Sequence, residues 1–142
     1  MTDAETLPIL LVPDPKLRAK SRPVEPGDPR IGPLAEKMLA TMYKANGLGL
    51  AAPQVGELLR LVVLDVRPED KLDPIVLVNP EIVAESRETE AREEGCLSLP
   101  GQFADVTRPR AVKVRWRARR PGCPRPSARS CVRPCWASWT RR

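Results

Sequence analysis

The segment Glu93–Pro100, with the sequence EEGCLSLP, is the stretch from which the rest of the chain can be interpreted. It places one thiol, that of Cys96, after a run of acidic residues and before a predicted turn at Pro100-Gly101. A cysteine in such a position can be a metal ligand, a nucleophile or an ordinary buried apolar residue. A nucleophile would need a base such as histidine to form the thiolate. The sequence contains no histidine, which disfavours a cysteine hydrolase and leaves the other two interpretations open.

A second segment, residues 47–56 with the sequence GLGLAAPQVG, helps to choose between the remaining interpretations of Cys96. The spacing of Gly47, Gly49 and Ala52 imitates a dinucleotide-binding loop, but such a loop follows a strand and begins a helix. Here a predicted helix comes before the glycines, so nucleotide binding is disfavoured. The segment is then either a glycine-rich helix stop followed by a turn, or a site around Gln54, whose amide both donates and accepts hydrogen bonds.

Taken together, the two segments resemble the first two motifs of peptide deformylases. The match covers Gly47, Gly49, Ala51, Ala52 and Gln54 in the first segment and EGCLS, from Glu94 to Ser98, in the second. The resemblance implies metal-dependent hydrolysis of the N-formyl group from the N-terminal methionine of nascent proteins. It also implies a divalent metal, usually iron and otherwise zinc or nickel, and a formyl-methionyl nascent peptide as partner, at or near the ribosome.

The same resemblance implies roles for individual residues. Cys96 would be a metal ligand, and Gln54 would hydrogen-bond the substrate carbonyl or the water on the metal. The backbone N–H of Leu97 would donate to the developing oxyanion, a large catalytic contribution in acyl chemistry. The backbone at Gly49 would help to hold the substrate. The substrate would also lie against four further residues of the two motifs, which are Gly47, Leu48, Glu94 and Gly95.

The family's third motif, a helical His-Glu-x-x-x-His, is missing from this chain. A catalytic zinc-type site uses three protein ligands and keeps one position for water. Cys123, Cys131 and Cys135 could in principle replace histidines, but their spacing matches no common zinc pattern. We therefore expect an incomplete site and an inactive chain, which would make the protein a catalytically dead remnant.

Charge is distributed unevenly along the chain. The net charge of +6 combines residues 1–116, which carry 16 Lys and Arg against all 18 acids, with residues 117–142, which carry eight Arg and no acid. The latter composition resembles translation in a shifted reading frame. The tail is expected to be disordered and solvated, although its arginines and tryptophans could bind RNA or the ribosome weakly and without sequence specificity.

Apolar periodicity predicts an α+β fold with mainly antiparallel strands and one N-terminal helix, lacking the C-terminal metal-binding helix. We expect a deformylase-like domain over residues 1–117, C-terminally incomplete, and a separate tail over 118–142. Residues 7–30 are expected to form an extended arm with an apolar anchor at 9–12. The helix is predicted over 31–45 with a stop at Asn46-Gly47. Strands are predicted at 59–66, at 75–78 before Asn79-Pro80, from Ile82 into a polar stretch ending at Glu94, and at 111–117.

The sequence shows no secretory signal and no apolar run of about 20 residues that could span a membrane. The first 116 residues contain one cysteine, which suits a reducing compartment better than a disulfide framework. These features favour the cytoplasm, and we also expect a monomer.

Overall fold

The computed structural model of the chain describes residues 5–67, 70–119 and 134–135. The first 3-10 helix, Pro15–Leu17, lies in the N-terminal arm, and the second, Ala52–Val55, follows the first strand. The other elements, in chain order, are α1 (Ile31–Lys44), β1 (Gly49–Ala51), β2 (Leu61–Leu64), β3 (Ile75–Glu85), β4 (Thr89–Cys96), β5 (Leu99–Pro109), β6 (Val112–Arg119) and β7 (Pro134–Cys135).

The strands form two sheets. One has the order β1-β2-β3-β6-β7 and the other is the β4-β5 hairpin, and neighbouring strands in both are antiparallel. This confirms the predicted α+β class with mainly antiparallel pairing and one α-helix in the described part of the chain. Within that part, no helix is long and apolar enough to cross a membrane.

The core lies between α1 and the first three strands. Met38 and Met42 of α1 and Leu50, Leu61 and Val63 of the strands have no exposed surface. These positions follow the 3.6-residue period of a helix face and the 2-residue period of a strand face. The helix and β2 therefore form largely where local patterning predicts them, with β2 shorter than the predicted 59–66 strand.

The helix stops before Asn46-Gly47, as predicted, but Asn46 and not the glycine is the left-handed residue. Asn46 takes the left-handed conformation with φ 55°, and Gly47 does not. The N–H of Gly47 instead donates to the carbonyl of Met42 at 2.9 Å and closes the helix. Asparagine tolerates this conformation better than other residues with a side chain, which leaves Gly47 available for a packing role.

The prediction that Asn79-Pro80 ends the third strand is wrong, because β3 continues through both residues to Glu85. The pairing with β6 shifts register after Val78, so the strand accommodates Pro80 at an irregularity where a ladder hydrogen bond is already missing. Asn79 has φ 51°. Its side chain accepts from the N–H of Val24 at 2.7 Å and donates to the carbonyl of Val24 at 2.9 Å. Asn79 thus joins the N-terminal arm to the sheet.

The arm is held differently from the apolar anchor predicted at residues 9–12. Leu11 and Val12 are about half exposed, at 51% and 47%. Residues 9–12 are held by backbone hydrogen bonds: the N–H of Leu10 donates to the carbonyl of Gln54 at 2.7 Å, and the N–H of Val12 donates to the carbonyl of Ser98 at 3.0 Å. The apolar attachment of the arm lies elsewhere, at Leu7 and at the buried Val24. The arm therefore contacts both motif segments.

The last predicted strand, at 111–117, is longer than expected, because β6 extends to Arg119. The short strand β7 pairs with the first two residues of β6. The other tail residues, 120–133 and 136–142, lie outside the described part. Most of the tail expected to be disordered, with Cys123 and Cys131, lies in those residues, and so does the region expected to lack the third-motif helix. Of the remaining tail residues, 118–119 belong to β6 and 134–135, which include Cys135, form β7. The division into two domains likewise stays a prediction.

Candidate functional site

The first motif forms an edge strand followed by a 3-10 helix. Gly49–Ala51 pairs antiparallel with β2, so the glycine-rich segment is more than the simple helix stop and turn that the sequence also allowed. The 3-10 helix Ala52–Val55 begins with Pro53 in its first turn and ends at Gly56, which has φ 88°. This tight reversal turns the side chain of Gln54 toward the second motif.

Gln54 is the centre of a small polar network. Its Oε1 accepts a hydrogen bond from the backbone N–H of Ala51 at 3.0 Å. Its Nε2 donates to Ser98 Oγ at 3.1 Å and to Cys96 Sγ at 3.7 Å. The backbone N–H can only donate, so it fixes which end of the amide is the oxygen and leaves the NH₂ group facing the second motif.

The second motif forms the end of the β4-β5 hairpin. Cys96 is the last residue of β4 and pairs with Leu99, and the register shifts between Gly95 and Cys96. The turn therefore consists of Leu97 and Ser98. It was predicted at Pro100-Gly101, but these two residues lie within β5, where Gly101 takes φ 73°.

The turn sends consecutive side chains to different environments. Cys96 is exposed and is a free thiol. Leu97 packs against the hydrophobic core, and Ser98 is buried with 3% exposure. The chain thus presents one thiol to solvent beside a buried hydroxyl and an apolar contact.

Two glycines allow the close approaches that this arrangement needs. A Cβ on Gly47 would lie 2.7 Å from Cδ1 of Leu97, and a Cβ on Gly95 would lie 2.7 Å from the ring of Phe103. Gly95 and Phe103 face each other across the hairpin. The contact between Gly47 and Leu97 brings the first motif directly against the second. Gly47 therefore has a packing role in addition to the substrate contact that the resemblance implied.

Glu94 is held by an ion pair along the hairpin. Arg108 Nε lies 2.6 Å from Glu94 Oε1 and Arg108 Nη2 lies 2.8 Å from Oε2, which is a bidentate arrangement. The hydrogen bonds from Arg108 lower the pKa of Glu94 and outweigh the opposing effect of burial, and the guanidinium charge adds to the lowering. In this structure the Glu94 carboxylate is therefore oriented along the hairpin by Arg108.

The structure brings most of the sequence-predicted site residues together. Gln54 contacts Cys96, Gly47 lies against Leu97, and Gly49 follows directly in β1. Leu48 has a structural contact as well, since its carbonyl accepts a hydrogen bond from the backbone N–H of Asp65 at 2.9 Å.

Sequence reasoning assigned no role in the site to Ser98 or Arg108, and it gave Val12 only a place in the predicted apolar anchor of the arm. Ser98 is part of the quoted motif, but nothing in its sequence position shows that it contacts Gln54, 44 residues away. The contacts of Arg108 and Val12 depend on the hairpin and the arm being in place.

The residues around Cys96 do not fit a resident catalytic metal. The hydrogen-bond partner of the thiol is the neutral amide of Gln54, and that amide's other partner is the hydroxyl of Ser98. Over residues 5–67 and 70–119, no group of three or more His, Cys, Asp or Glu could hold an ion. The whole sequence contains no histidine. The described residues therefore do not provide the three protein ligands of a catalytic zinc-type site.

The family of this chain follows from comparison of its sequence with models of protein families. The model of the polypeptide deformylase family matches residues 6–121, which is most of the chain. The chain belongs to the polypeptide deformylase family. It is 48% identical over 110 residues to the peptide deformylase of Mesorhizobium japonicum and 49% identical over 113 residues to that of Bartonella henselae. These matches cover 77% and 79% of the chain but only 62% and 64% of the two deformylases.

Solved deformylase structures share the fold. The peptide deformylase from Ehrlichia chaffeensis in complex with actinonin superposes with a TM-score of 0.76 at 39% identity, covering 80% of this chain and 69% of that one. The Thermotoga maritima enzyme gives a TM-score of 0.75 at 39% identity, covering 80% and 75%. The family of hydrolases and the mostly antiparallel fold predicted from sequence are thereby confirmed. Roughly a third of the length of the Mesorhizobium japonicum and Bartonella henselae deformylases lies outside the region that matches this chain.

Proposed function

We propose that the site formed by the two motifs originated in the hydrolysis of N-formyl groups from the N-terminal methionine of nascent proteins, and that the 142-residue chain does not catalyse it. The observation that carries the first part is the contact between the motifs, with Gln54 facing Cys96 and Gly47 against Leu97. The observation that carries the second part is the donor set, because the sequence has no histidine and, among the described residues, no group of three or more His, Cys, Asp or Glu that includes Cys96 could hold an ion.

The polar residues of this site suit the stabilisation of charge on a carbonyl group. Gln54 offers an amide N–H whose direction is fixed by the hydrogen bond at its oxygen. Leu97 is held in the core by its side chain, which fixes the position of its backbone N–H in the turn. Donors fixed in advance need no reorganisation when charge develops, which is the basis of oxyanion stabilisation.

Binding a divalent metal would require more than this chain supplies. Iron, zinc or nickel at Cys96 would have one thiolate and no imidazole from the protein. The missing glutamate of the third motif would also leave the reaction without its general base, a contribution of about 10²–10⁴-fold in rate. The substrate, the metal and the monomeric, cytoplasmic state expected from the sequence stay predictions.

The test uses the full chain with added iron, zinc or nickel and a formyl-methionyl peptide. We expect no stoichiometric metal after gel filtration and no release of formate above the protein-free rate. The Thermotoga maritima deformylase in the same assay provides the positive control. Metal-dependent turnover that is lost in the Cys96→Ala variant would overturn the proposal of inactivity and would show that other residues supply the missing ligands.

A second candidate function comes from the charge of the tail. Residues 117–142 carry eight arginines and no acidic residue. Such a segment gains affinity for RNA by releasing counterions from phosphates, which makes binding non-specific and dependent on salt. We propose weak RNA or ribosome binding through this segment, independent of the site around Cys96.

A further inference from the structure

The hydroxyl of Ser98 is the least exposed part of the polar network around Gln54. Ser98 is 3% exposed, whereas Cys96, the other partner of the Gln54 NH₂ group, is exposed. Water can compete for the hydrogen bond to the thiol but has little access to the bond between Gln54 Nε2 and Ser98 Oγ, which is 3.1 Å long. The bond to Ser98 is therefore the stronger constraint on the direction of the amide.

Ser98 is itself held from a separate part of the chain. Its carbonyl accepts a hydrogen bond from the N–H of Val12 at 3.0 Å. The carbonyl of Gln54 accepts from the N–H of Leu10 at 2.7 Å, so two residues of the arm, separated by Leu11, hold the backbones of both partners. The separation of Gln54 and Ser98 is set by this arm together with the Gly47–Leu97 contact.

An amide NH₂ group has two hydrogens, and Nε2 of Gln54 lies within hydrogen-bonding distance of two acceptors, Ser98 Oγ and Cys96 Sγ. With Oε1 held by the N–H of Ala51 and one hydrogen held by Ser98, the second hydrogen has a fixed direction toward Cys96 Sγ, 3.7 Å away. Without the Ser98 oxygen, rotation of the side chain would bring that hydrogen to solvent.

We propose that Ser98 is the positioning residue for Gln54, aiming its amide N–H at the space beside Cys96. The inference rests on the proposed function only in taking Gln54 as the group that stabilises charge on a carbonyl. It needs neither a bound metal nor turnover, so its test can fail or succeed independently of the assay for formate release.

The chain offers a favourable probe because it contains two glutamines, Gln54 and Gln102. Gln102 is exposed and serves as an internal reference. In the full chain labelled with ¹⁵N at glutamine side chains, we expect the amide protons of Gln54 to exchange with water about tenfold more slowly than those of Gln102. Nuclear Overhauser effects should connect the Gln54 NH₂ group to the β-protons of Ser98 and Cys96.

In Ser98→Ala the exchange rate of the Gln54 protons should approach that of Gln102, and the contact to Cys96 should disappear. Ser98→Thr keeps the hydroxyl and should keep both signals. Ser86→Ala is the control, because the Ser86 hydroxyl likewise accepts an N–H, in this case that of the Ala111 backbone, and donates to the carbonyl of Glu88. This control should leave Gln54 unchanged.

A folded Ser98→Ala chain with protected Gln54 protons would overturn the proposal, since the serine would then have only a packing role. If Ser98→Ala fails to fold, Ser98→Cys keeps the shape with a weaker acceptor and should give intermediate protection. Full protection in Ser98→Cys, or a wild-type Gln54 amide that exchanges as fast as Gln102, would equally overturn it.

Discussion

Replacing Asp65 by alanine should destabilise the chain, because the Asp65 carboxylate serves three donors at once. It is fully buried. Its oxygens accept from the hydroxyl of Tyr43 at 2.6 Å, from the N–H of Arg67 at 2.8 Å, and from the N–H of Asp73 at 3.2 and 3.3 Å. Its own N–H donates to the carbonyl of Leu48, directly before β1.

The magnitude follows from what each donor can do after the substitution. A buried donor left without a partner costs about 1–3 kcal/mol. Tyr43 is half-buried, so water can reach its hydroxyl, but the two backbone donors lose the acceptor that shapes the loop between β2 and β3. We expect Asp65→Ala to lower the free energy of unfolding by about 2–4 kcal/mol, measured by urea denaturation followed by circular dichroism.

Tyr43→Phe is the matched control, since it removes one of the three donors and keeps the ring. It should cost about 1 kcal/mol. Burial raises the pKa of Tyr43 above its ordinary value, and the hydrogen bond to Asp65 raises it further. The folded state therefore keeps the tyrosine proton at a pH where the unfolded chain releases it.

The sign of the pH effect follows from this difference. Below about pH 10 the phenol is neutral in both states, so its contribution to stability does not change with pH. Above that pH the unfolded state loses a proton that the folded state keeps, so stability falls as pH rises. Tyr43→Phe should show a smaller loss between about pH 10 and pH 11 than the wild type. An Asp65→Ala cost below about 1 kcal/mol, or equal alkaline losses in wild type and Tyr43→Phe, would refute this account of the network.

Three further outcomes are expected. Gly47→Ala should lower the free energy of unfolding by about 1–2 kcal/mol, because the new methyl group must displace the side chain of Leu97 in the hairpin turn. Thermal denaturation measures this effect, and an unchanged or higher melting temperature would contradict it. Glu94 has a lowered pKa through Arg108, so its contribution of about 0.5–1 kcal/mol should be present above about pH 4.3 and should be lost as pH falls through the folded value. Glu94→Gln should remove this acid dependence and the control Glu90→Gln should not, in denaturation curves recorded between about pH 2 and pH 5. Deleting residues 118–142 should abolish RNA binding in a fluorescence-anisotropy titration, and binding by the full chain should weaken steeply with salt; equal binding by the shortened chain would exclude the tail.

The sequence alone was sufficient for the elements whose residues repeat with a regular period. The helix Ile31–Lys44 and the strand Leu61–Leu64 were predicted because their apolar positions match the geometry of one element, whatever lies around it. The family also followed from sequence, since the residues of the two motifs are contiguous and can be recognised without knowing their contacts.

The contacts between distant segments could only be seen in the tertiary structure. The local sequence at Asn79-Pro80 predicts the end of a strand. In the folded chain β3 continues through these residues, because the pairing with β6 shifts register there and the side chain of Asn79 bonds to the backbone of Val24. Polar residues of the hairpin form strands because the two strands pair with each other, a cross-strand effect that no local pattern reveals.

The candidate site shows the same division. Gln54 and Cys96 could be selected from sequence because each belongs to a recognisable motif. The contribution of Ser98 depends on a hydrogen bond spanning 44 residues and on an arm that fixes both partners from a third position. Hydrogen-bond direction and burial depend on all three segments at once, so only the folded chain determines which of the motif residues orients the others.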